Sequence, residues 1–371
     1  AEVAEVVQCA DDLWASSVAK FSRAAKLADA EDHRVRGAFV FAGGSATGRA
    51  SSYGLQVHNF PRKCADDPSL VRQAMVRGHE IVPAYGVRTT DVLKQMLRPS
   101  LTPSQGKRLV VADWSSIEAR VTPWASGEGD AKLELFRTGE DVYKVNAAAT
   151  FKVPVKDVTK DQRQIGKVQE LACGFAGGVG AFAAMGRAYG LALPEHEAKR
   201  MVDGWRKANP WSVRYWQSLE DGYHRAMRNV GKPFKAGLVT YFYDGLHLWY
   251  ELPSGRILCY PFARFEDGNV TYAKAAWKPA QDAKEWPRAR LWKGLACENI
   301  TQAIANDILR HSLRQLEPLG VVLHVHDEIV IETDDPERVA EIIMGVMCTP
   351  PNWAGGLPLG AEVTLMDRYG K

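Results

Sequence analysis

The stretch VVLHVHDEIVIE near the C-terminus constrains this chain more than any other, because it sets His326, Asp327 and Glu328 between two apolar runs. Val321, Val322, Leu323 and Val325 lead in, and Ile329, Val330 and Ile331 lead out. β-Branched residues on both sides of so short an interruption predict two strands meeting at a turn, with the acid pair at the tip of a β-hairpin. Taken alone, two adjacent acids fit an ordinary solvated turn as well as a site, since a short motif is only a hypothesis.

An upstream segment supplies a second carboxylate. In KRLVVADWSSIEARV, Leu109 to Ala112 predict a buried strand that Asp113 ends, and Ser115 with Glu118 has the S-x-x-E spacing of a helix capping box. Asp113 is thereby placed at a strand-to-helix junction. Holding two Mg²⁺ ions about 3.5–4 Å apart requires acids drawn from different strands, and Asp113 and Asp327 are the candidates. Glu118 has a purely structural explanation of its own as a capping residue.

Between the acids lies KDVTKDQRQIGKVQELACGFAGGVGAF, which predicts a helix from about Lys160 to about Cys173 with a glycine-rich exit. Thr159 and Gln162 have capping-box spacing at its start. Arg163, Lys167, Leu171 and Phe175 recur every four residues and drift only about 40° per step around the helix axis. Lys160, Arg163 and Lys167 crowd the N-terminal half, where the helix dipole is already positive and favours an anion. A bound triphosphate would relieve that conflict; a solvated basic face balanced by Asp157 and Asp161 would do so as well.

With these three segments in this order, the chain resembles DNA polymerase family A, the group of bacterial DNA polymerase I, and within it the shorter phage-encoded members. ADWSSIEAR resembles the family's first catalytic motif, RQIGKVQELACGFAGG its fingers-helix motif and HVHDE its second catalytic motif. Two weaker matches extend the likeness. ATGRASSYGLQVHNFPR is similar to the segment whose arginine, here Arg49, reaches the minor groove at the primer end, with Gln56, His58 and Asn59 following along the duplex. CENITQAIANDIL is similar to the palm helix that contributes a minor-groove glutamine, here Gln302. Contacts to minor-groove acceptors shared by every base pair test pair shape without reading sequence.

The resemblance implies a mechanism and its residues. Asp113 and Asp327, with the backbone carbonyl of Trp114, would hold two Mg²⁺ ions, with Mn²⁺ as a substitute, one activating the primer 3′-hydroxyl and one clamping the triphosphate. Arg163 and Lys167 would grip the phosphates of the incoming dNTP, and Lys167 would protonate the departing pyrophosphate. Leu171 falls at the sugar-contacting position, Phe175 stacks near the templating base, and Tyr143 lies where a phosphate-contacting histidine is common. Glu118 matches the residue that fills the space of a ribose 2′-hydroxyl, which argues for deoxynucleotides by exclusion. Glu328 would be an auxiliary carboxylate near the primer end, and His326 would orient the turn or the primer backbone, since Mg²⁺ prefers oxygen. The sequence departs from the usual pattern at Trp114, Ser116, Leu171, Ala172, Phe175 and Ala176; because Leu171 replaces the usual Phe or Tyr against the sugar, tolerance of dideoxynucleotides does not transfer.

The implied fold class is α+β, a right hand with an antiparallel palm sheet and helical fingers inserted in the palm. The expected divisions are a thumb remnant over 1–36, palm over 37–120 and 288–371, and fingers over 121–287. Leu13, Trp14, Val18, Phe21 and Leu27 have the helical spacing of a last thumb helix. LHLWYELPSGRILCYPFARFE predicts a β-hairpin turning at Pro253–Gly255, whereas GNVTYAKAAWKPAQDAKEWPRARLW reads as an irregular connection. The start at Ala1 without an initiator methionine suggests the C-terminal portion of a longer polypeptide, with no proofreading exonuclease in these residues.

Composition accommodates this reading. At 371 residues and 46% hydrophobic, the chain has room for two or three subdomains with their own cores. The net charge of +3 does not advertise a nucleic-acid binder, so a basic groove has to come from local clustering. Cys9, Cys64, Cys173, Cys259, Cys297 and Cys348 show no paired spacing, which favours a reducing compartment and no structural zinc. No membrane span or secretory signal is visible, and the expected location is the cytoplasm of a bacterial host. Expected partners are primer-template DNA and dNTPs, with the N-terminal remainder of the polymerase or a processivity factor as further ones; the expected state is a monomer without membrane contact. Two rivals stay open: a single-subunit RNA polymerase, against which Glu118 and Glu328 argue, and a polymerase-like module that binds primer-template without extending it.

Overall fold

The computed structural model describes residues 17–78, 88–274 and 286–370. Helix α1 (Ala19–Leu27) leads to a two-stranded ribbon of β1 (Phe39–Val40) and β2 (Ser51–Ser52), then to helices α2 (Pro68–Val76) and α3 (Thr89–Met96). Strand β3 (Arg108–Trp114) follows, and then helices α4 (Ile117–Ser126), α5 (Asp130–Arg137), α6 (Val142–Phe151), α7 (Lys160–Cys173), α8 (Val179–Ala188), α9 (Glu195–Ala208) and α10 (Pro210–Arg228). An antiparallel meander comes next, β4 (Phe234–Ala236), β5 (Val239–Tyr243), β6 (Leu248–Glu251) and β7 (Ile257–Tyr260). Strands β8 (Arg264–Glu266), β9 (Asn269–Ala273) and β10 (Arg288–Leu291) form a second small sheet. The chain closes with α11 (Lys293–Leu316), β11 (Val321–Val325), β12 (Glu328–Thr333), α12 (Pro336–Cys348) and β13 (Ala361–Met366).

The sheet that matters most joins distant parts of the sequence in the order β11-β12-β3-β13, antiparallel throughout. Its central strand β3 is buried on both faces, because alternate side chains leave a strand on opposite sides. Val110, Ala112 and Trp114 enter the main core, which continues through α4, α10, α11 and the meander. Leu109 and Val111 face the other way, into a smaller core with Leu55, Val57, Phe60, Leu97 and Tyr369. Helix α11 runs along the main core with Ala296, Ile300, Ile304 and Ile308, and it also buries the polar Asn299, Thr301, Asn306, Asp307 and Ser312.

Helix α7 starts and stops where the sequence predicts, with the Thr159/Gln162 capping box fully formed. It lies so close to α6 that a Cβ on Gly166 would sit 2.0 Å from the Tyr143 carbonyl oxygen. A buried polar node fixes the same helix: Glu170 Oε2 accepts from Lys132 Nζ at 2.8 Å, Asn146 Nδ2 at 2.7 Å and Trp205 Nε1 at 3.3 Å. Four helices, α5, α6, α7 and α9, thus meet at one carboxylate oxygen.

The structure departs from the sequence reading in three places. The expected irregular connection contains two strands: Asn269–Ala273 pairs with Arg288–Leu291 from Arg288↔Ala273 to Leu291↔Val270, and residues 275–285 between them lie outside the described residues. Alternation over so few residues was hidden by the alanines and lysine that follow. Strand β3 runs one residue past Asp113, to Trp114, whose indole packs in the core and donates to the Met347 carbonyl at 2.8 Å. Leu27 is 45% exposed, so the buried side of α1 is defined by Phe21 and Ala24. Leu13 and Trp14, assigned to the same helical pattern, lie outside the described residues.

Replacing Glu170 with Leu strands the Lys132 ammonium in the core and should cost about 3–5 kcal/mol in urea-induced unfolding, whereas Lys132→Met combined with Glu170→Leu should recover most of that loss. Additive losses in the double variant would show that the two residues do not act as a pair.

Candidate active site

Strand register brings the two motif acids together. Asp113 in β3 is paired with Glu328 in β12 on one side and with Glu362 in β13 on the other. Beyond that pairing the Trp114 N–H donates to the Asp327 carbonyl at 3.3 Å, so Asp113 and Asp327 occupy adjacent rungs of one antiparallel ladder. The predicted hairpin is present, with His326 and Asp327 as its two-residue tip and Glu328 already the first residue of β12. His326 adopts a left-handed φ of 56°, which a tight two-residue connection requires.

Glu328 is held from the far end of the chain. The Tyr369 hydroxyl donates to Glu328 Oε1, and Arg98 Nη1 donates to that hydroxyl at 3.1 Å. Tyr369 is 1% and Arg98 9% exposed, so the pair forms a buried brace behind the acid. Burial, and then the Glu328 charge, push the Tyr369 phenol well above its ordinary range. Sequence inspection passed over both residues, because neither lies in a motif and the contact spans 271 positions for Arg98.

Glu118 does not cap its helix. Ser116, in a left-handed conformation at φ 56°, is the residue before α4, and it makes no side-chain cap bond. The Ser115 hydroxyl donates to Glu362 Oε1 at 3.4 Å instead. The helix begins one residue later than a capping box would need, which frees Glu118 to bind Arg49 Nη2 through Oε1 at 3.2 Å. Burial pushes the Glu118 carboxyl above its ordinary range; Arg49 opposes the shift, and the nearby charges of Asp327 and Glu298 add to it. Glu118, Asp327, Glu298 and Arg49 are therefore one electrostatic cluster.

An aromatic bridge links the basic helix α7 to the turn after β3. The Arg163 guanidinium lies 5.3 Å from the centre of the Tyr143 ring, and the Tyr143 hydroxyl is 3.4 Å from the Ser116 hydroxyl in the turn after β3. Arg163 Nε also donates to Asp141 Oδ2 at 2.6 Å, a partner the sequence reading, which offered Asp157 and Asp161, did not find. Asp141 does two jobs, since its Oδ1 accepts from the Tyr143 and Lys144 N–H groups and caps α6. Burial pushes the Asp141 carboxyl up, but the Arg163 and backbone bonds outweigh it and hold it below the ordinary range. One turn on, the Lys167 ammonium sits 4.8 Å from the Tyr189 ring centre. Leu171 is 39% exposed, and Phe175 packs partly against the main core. Just after it Ala176 takes a left-handed φ of 59°, where a glycine would be unstrained.

The remaining candidates fall into two groups. His58 is half-buried: its Nδ1 lies 2.5 Å from the Ser52 hydroxyl, and its ring meets His326, His324 and Phe39 edge-on at 5.7, 5.8 and 5.6 Å. Gln56 is left-handed at φ 54°, and the Asn59 carbonyl accepts from Lys20 at 2.8 Å. Gln302 Nε2 donates to Glu298 at 3.3 Å on the part-exposed side of α11, one turn from the Glu118 cluster. A cavity of about 670 Å³ lined by Val18, Phe21, Arg72, Met75, Met96 and Arg368 shares no residue with any of these groups.

Burial, and then repulsion from His324 and His326, lower the His58 pKa from 6.5 to about 4. The unfolded chain takes up this proton near pH 6.5 and the folded chain only near pH 4, so His58 stabilises the fold fully above the first value and progressively less toward the second. Urea-unfolding free energy should fall from pH 7 to pH 4.5, and His58→Gln should flatten that slope; an unchanged slope would remove His58 as the cause.

Comparison with known proteins identifies the family. The model of DNA polymerase family A matches residues 14–228. A DNA polymerase of Bacillus phage SP02 is 36% identical over 377 residues, covering 100% of this chain and 57% of that protein. DNA polymerase I of Pseudomonas aeruginosa is 27% identical over 313 residues, covering 82% of this chain and 26% of its own length. The chain therefore spans little more than half of the first relative and about a quarter of the second. In fold, it is similar to the POL domain of Pol1 from M. smegmatis in complex with DNA primer-template and dNTP, with a TM-score of 0.58 at 19% identity, covering 94% of this chain and 50% of that one. A mixed architecture of helices and antiparallel sheet, the ordered acid and basic motifs and a family match over more than half its length make this chain a member of DNA polymerase family A.

Proposed function

We propose that this chain is a template-directed DNA polymerase that adds dNTPs to a primer 3′-hydroxyl and releases pyrophosphate. The observation that carries the reading is the ladder that sets Asp113 beside Asp327, with Arg163 joined to the same turn through Tyr143 and Ser116. Two acids at a strand end facing a basic helix suit a reaction in which the protein mainly positions groups and balances charge.

The donor set fits Mg²⁺. Asp113 and Asp327 offer only oxygen, and among the described residues no group of three or more His, Cys, Asp or Glu is arranged to hold a metal ion. Mg²⁺ commonly takes one or two carboxylates and completes its shell with waters and substrate phosphates, so two acids and the Trp114 carbonyl suffice. Two such ions, or Mn²⁺ in their place, would supply Lewis-acid activation of the hydroxyl and neutralise the leaving group.

The chain's own residues then divide the work. Arg163 exchanges Asp141 for a phosphate of the incoming dNTP, and Lys167 leaves the face of Tyr189 to give a proton to the departing pyrophosphate oxygen. Leu171 and Phe175 border the sugar and the templating base, Tyr143 donates from its phenol, and Glu118 occupies the space of a 2′-hydroxyl. Glu328, braced by Tyr369, stands near the primer end with His326. Arg49, Gln56, His58, Asn59 and Gln302 line the duplex side.

In this reading residues 37–120 and 288–371 are palm, 121–287 fingers and 1–36 a thumb remnant, and proofreading lies outside these residues. The protein works as a monomer in the cytoplasm of a bacterial host. No helix of the described residues is long and apolar enough to cross a membrane.

Primer extension tests the proposal. With labelled primer-template, Mg²⁺ and dNTPs the primer should lengthen, and Asp327→Ala should slow single-nucleotide addition about a thousandfold, the loss of several kcal/mol of charge stabilisation. Preference for NTPs would favour an RNA polymerase instead; binding of primer-template without growth would leave only a recognition module.

A further inference from the structure

The loop that carries Arg49 is gripped with more polar contacts than its length requires. Tyr250 donates its hydroxyl to the Ala46 carbonyl, Arg256 Nη1 donates to the Thr47 carbonyl at 3.0 Å, and the Gly48 carbonyl accepts from both Asn306 Nδ2 at 2.9 Å and Arg310 Nη2 at 2.7 Å. Three successive carbonyls are thus captured from the meander and from α11. Arg256 is itself fixed by an ion pair to Asp307 at 2.6 Å and a bond from Nη2 to the Ala303 carbonyl at 2.8 Å. Gly48 has a left-handed φ of 64°, where a side chain would be strained, and a Cβ there would meet Arg256 Nη1 at 2.1 Å and displace the end of that side chain.

Immediately after the clamped residue, Arg49 reaches Glu118 Oε1. Glu118 needs such a partner: no cap bond fixes the start of its helix, and Asp327 and Glu298 both repel its charge. We infer that Arg49 is a positioning residue for sugar discrimination, holding Glu118 in the place of a 2′-hydroxyl, and that Asn306, Arg256 and Arg310 set its aim by clamping Gly48. The inference rests on the polymerase reading above and adds residues from α11 and the β6–β7 turn that act through the Gly48 loop. A clamp built of backbone carbonyls fixes where the arginine starts, and a charge-assisted bond fixes where it ends. Loosening the start therefore lets the gate swing without removing it.

The test uses the full chain, primer-template with a templating guanine, and the ratio of kcat/KM for dCTP over CTP. Glu118→Ala should collapse that ratio. Arg310→Met should lower it about fivefold through better use of CTP, a size typical of one coupled contact, and should add nothing in the Glu118→Ala background. A general structural defect would slow both nucleotides alike and leave the ratio in place. If Arg310→Met melts more than a few degrees early, Gly48→Ala is read in the same way. A ratio within twofold of wild type in these variants, or a drop that persists without Glu118, overturns the inference while the polymerase reading stands. A wild-type chain that extends with neither nucleotide overturns both.

Discussion

The pairing of β3 with β12 is the constraint on which the site depends. A strand has two faces, and a one-residue slip would exchange them, moving Asp113 into the main core and Ala112 out of it. Burial on both sides prevents the slip: Val110 and Ala112 fill one core, Leu109 and Val111 the other, and Ile329, Val330 and Ile331 answer them across the ladder. Hydrophobic packing therefore sets the spacing of two carboxylates that would otherwise repel each other. The left-handed His326 turns the chain just before Asp327, while the Trp114 amide keeps the Asp327 carbonyl tied to the neighbouring strand.

Local patterns were legible wherever a short-range rule decided the outcome. The hairpin at Asp327, the limits of α7 and the turn at Pro253–Gly255 were visible because β-branched runs, a capping box and a Pro-Gly turn act within a few residues. The same rule failed at Ser115 and Glu118, where an identical spacing competes with a long-range ion pair to Arg49 and loses. Asp141, Arg98 and Tyr369 carried no signal for a related reason: each acts on the site through a partner far along the chain, and one sequence gives no register between such partners. Strands β9 and β10 were missed because each is too short for alternation to stand out from its polar surroundings.

The small net charge conceals strong local order. Around α7 three positive groups have defined partners, Arg163 in Asp141 and the Tyr143 ring, Lys167 in the Tyr189 ring, and Lys132 in Glu170 in the interior. Only the last pair is buried enough to serve mainly the fold. The Arg163–Asp141 pair is half-exposed, and the proposed phosphate contact would exchange it.

Asp141 gives that exchange a particular character. One of its oxygens caps the first turn of α6 while the other engages Arg163. When an anion draws the guanidinium away, the carboxylate is left at a helix N-terminus, where two amide protons and the macrodipole already favour negative charge. Departure of the arginine would therefore leave the Asp141 carboxylate with two amide protons of its own helix. One side chain thus orders both the start of α6 and the Arg163 guanidinium.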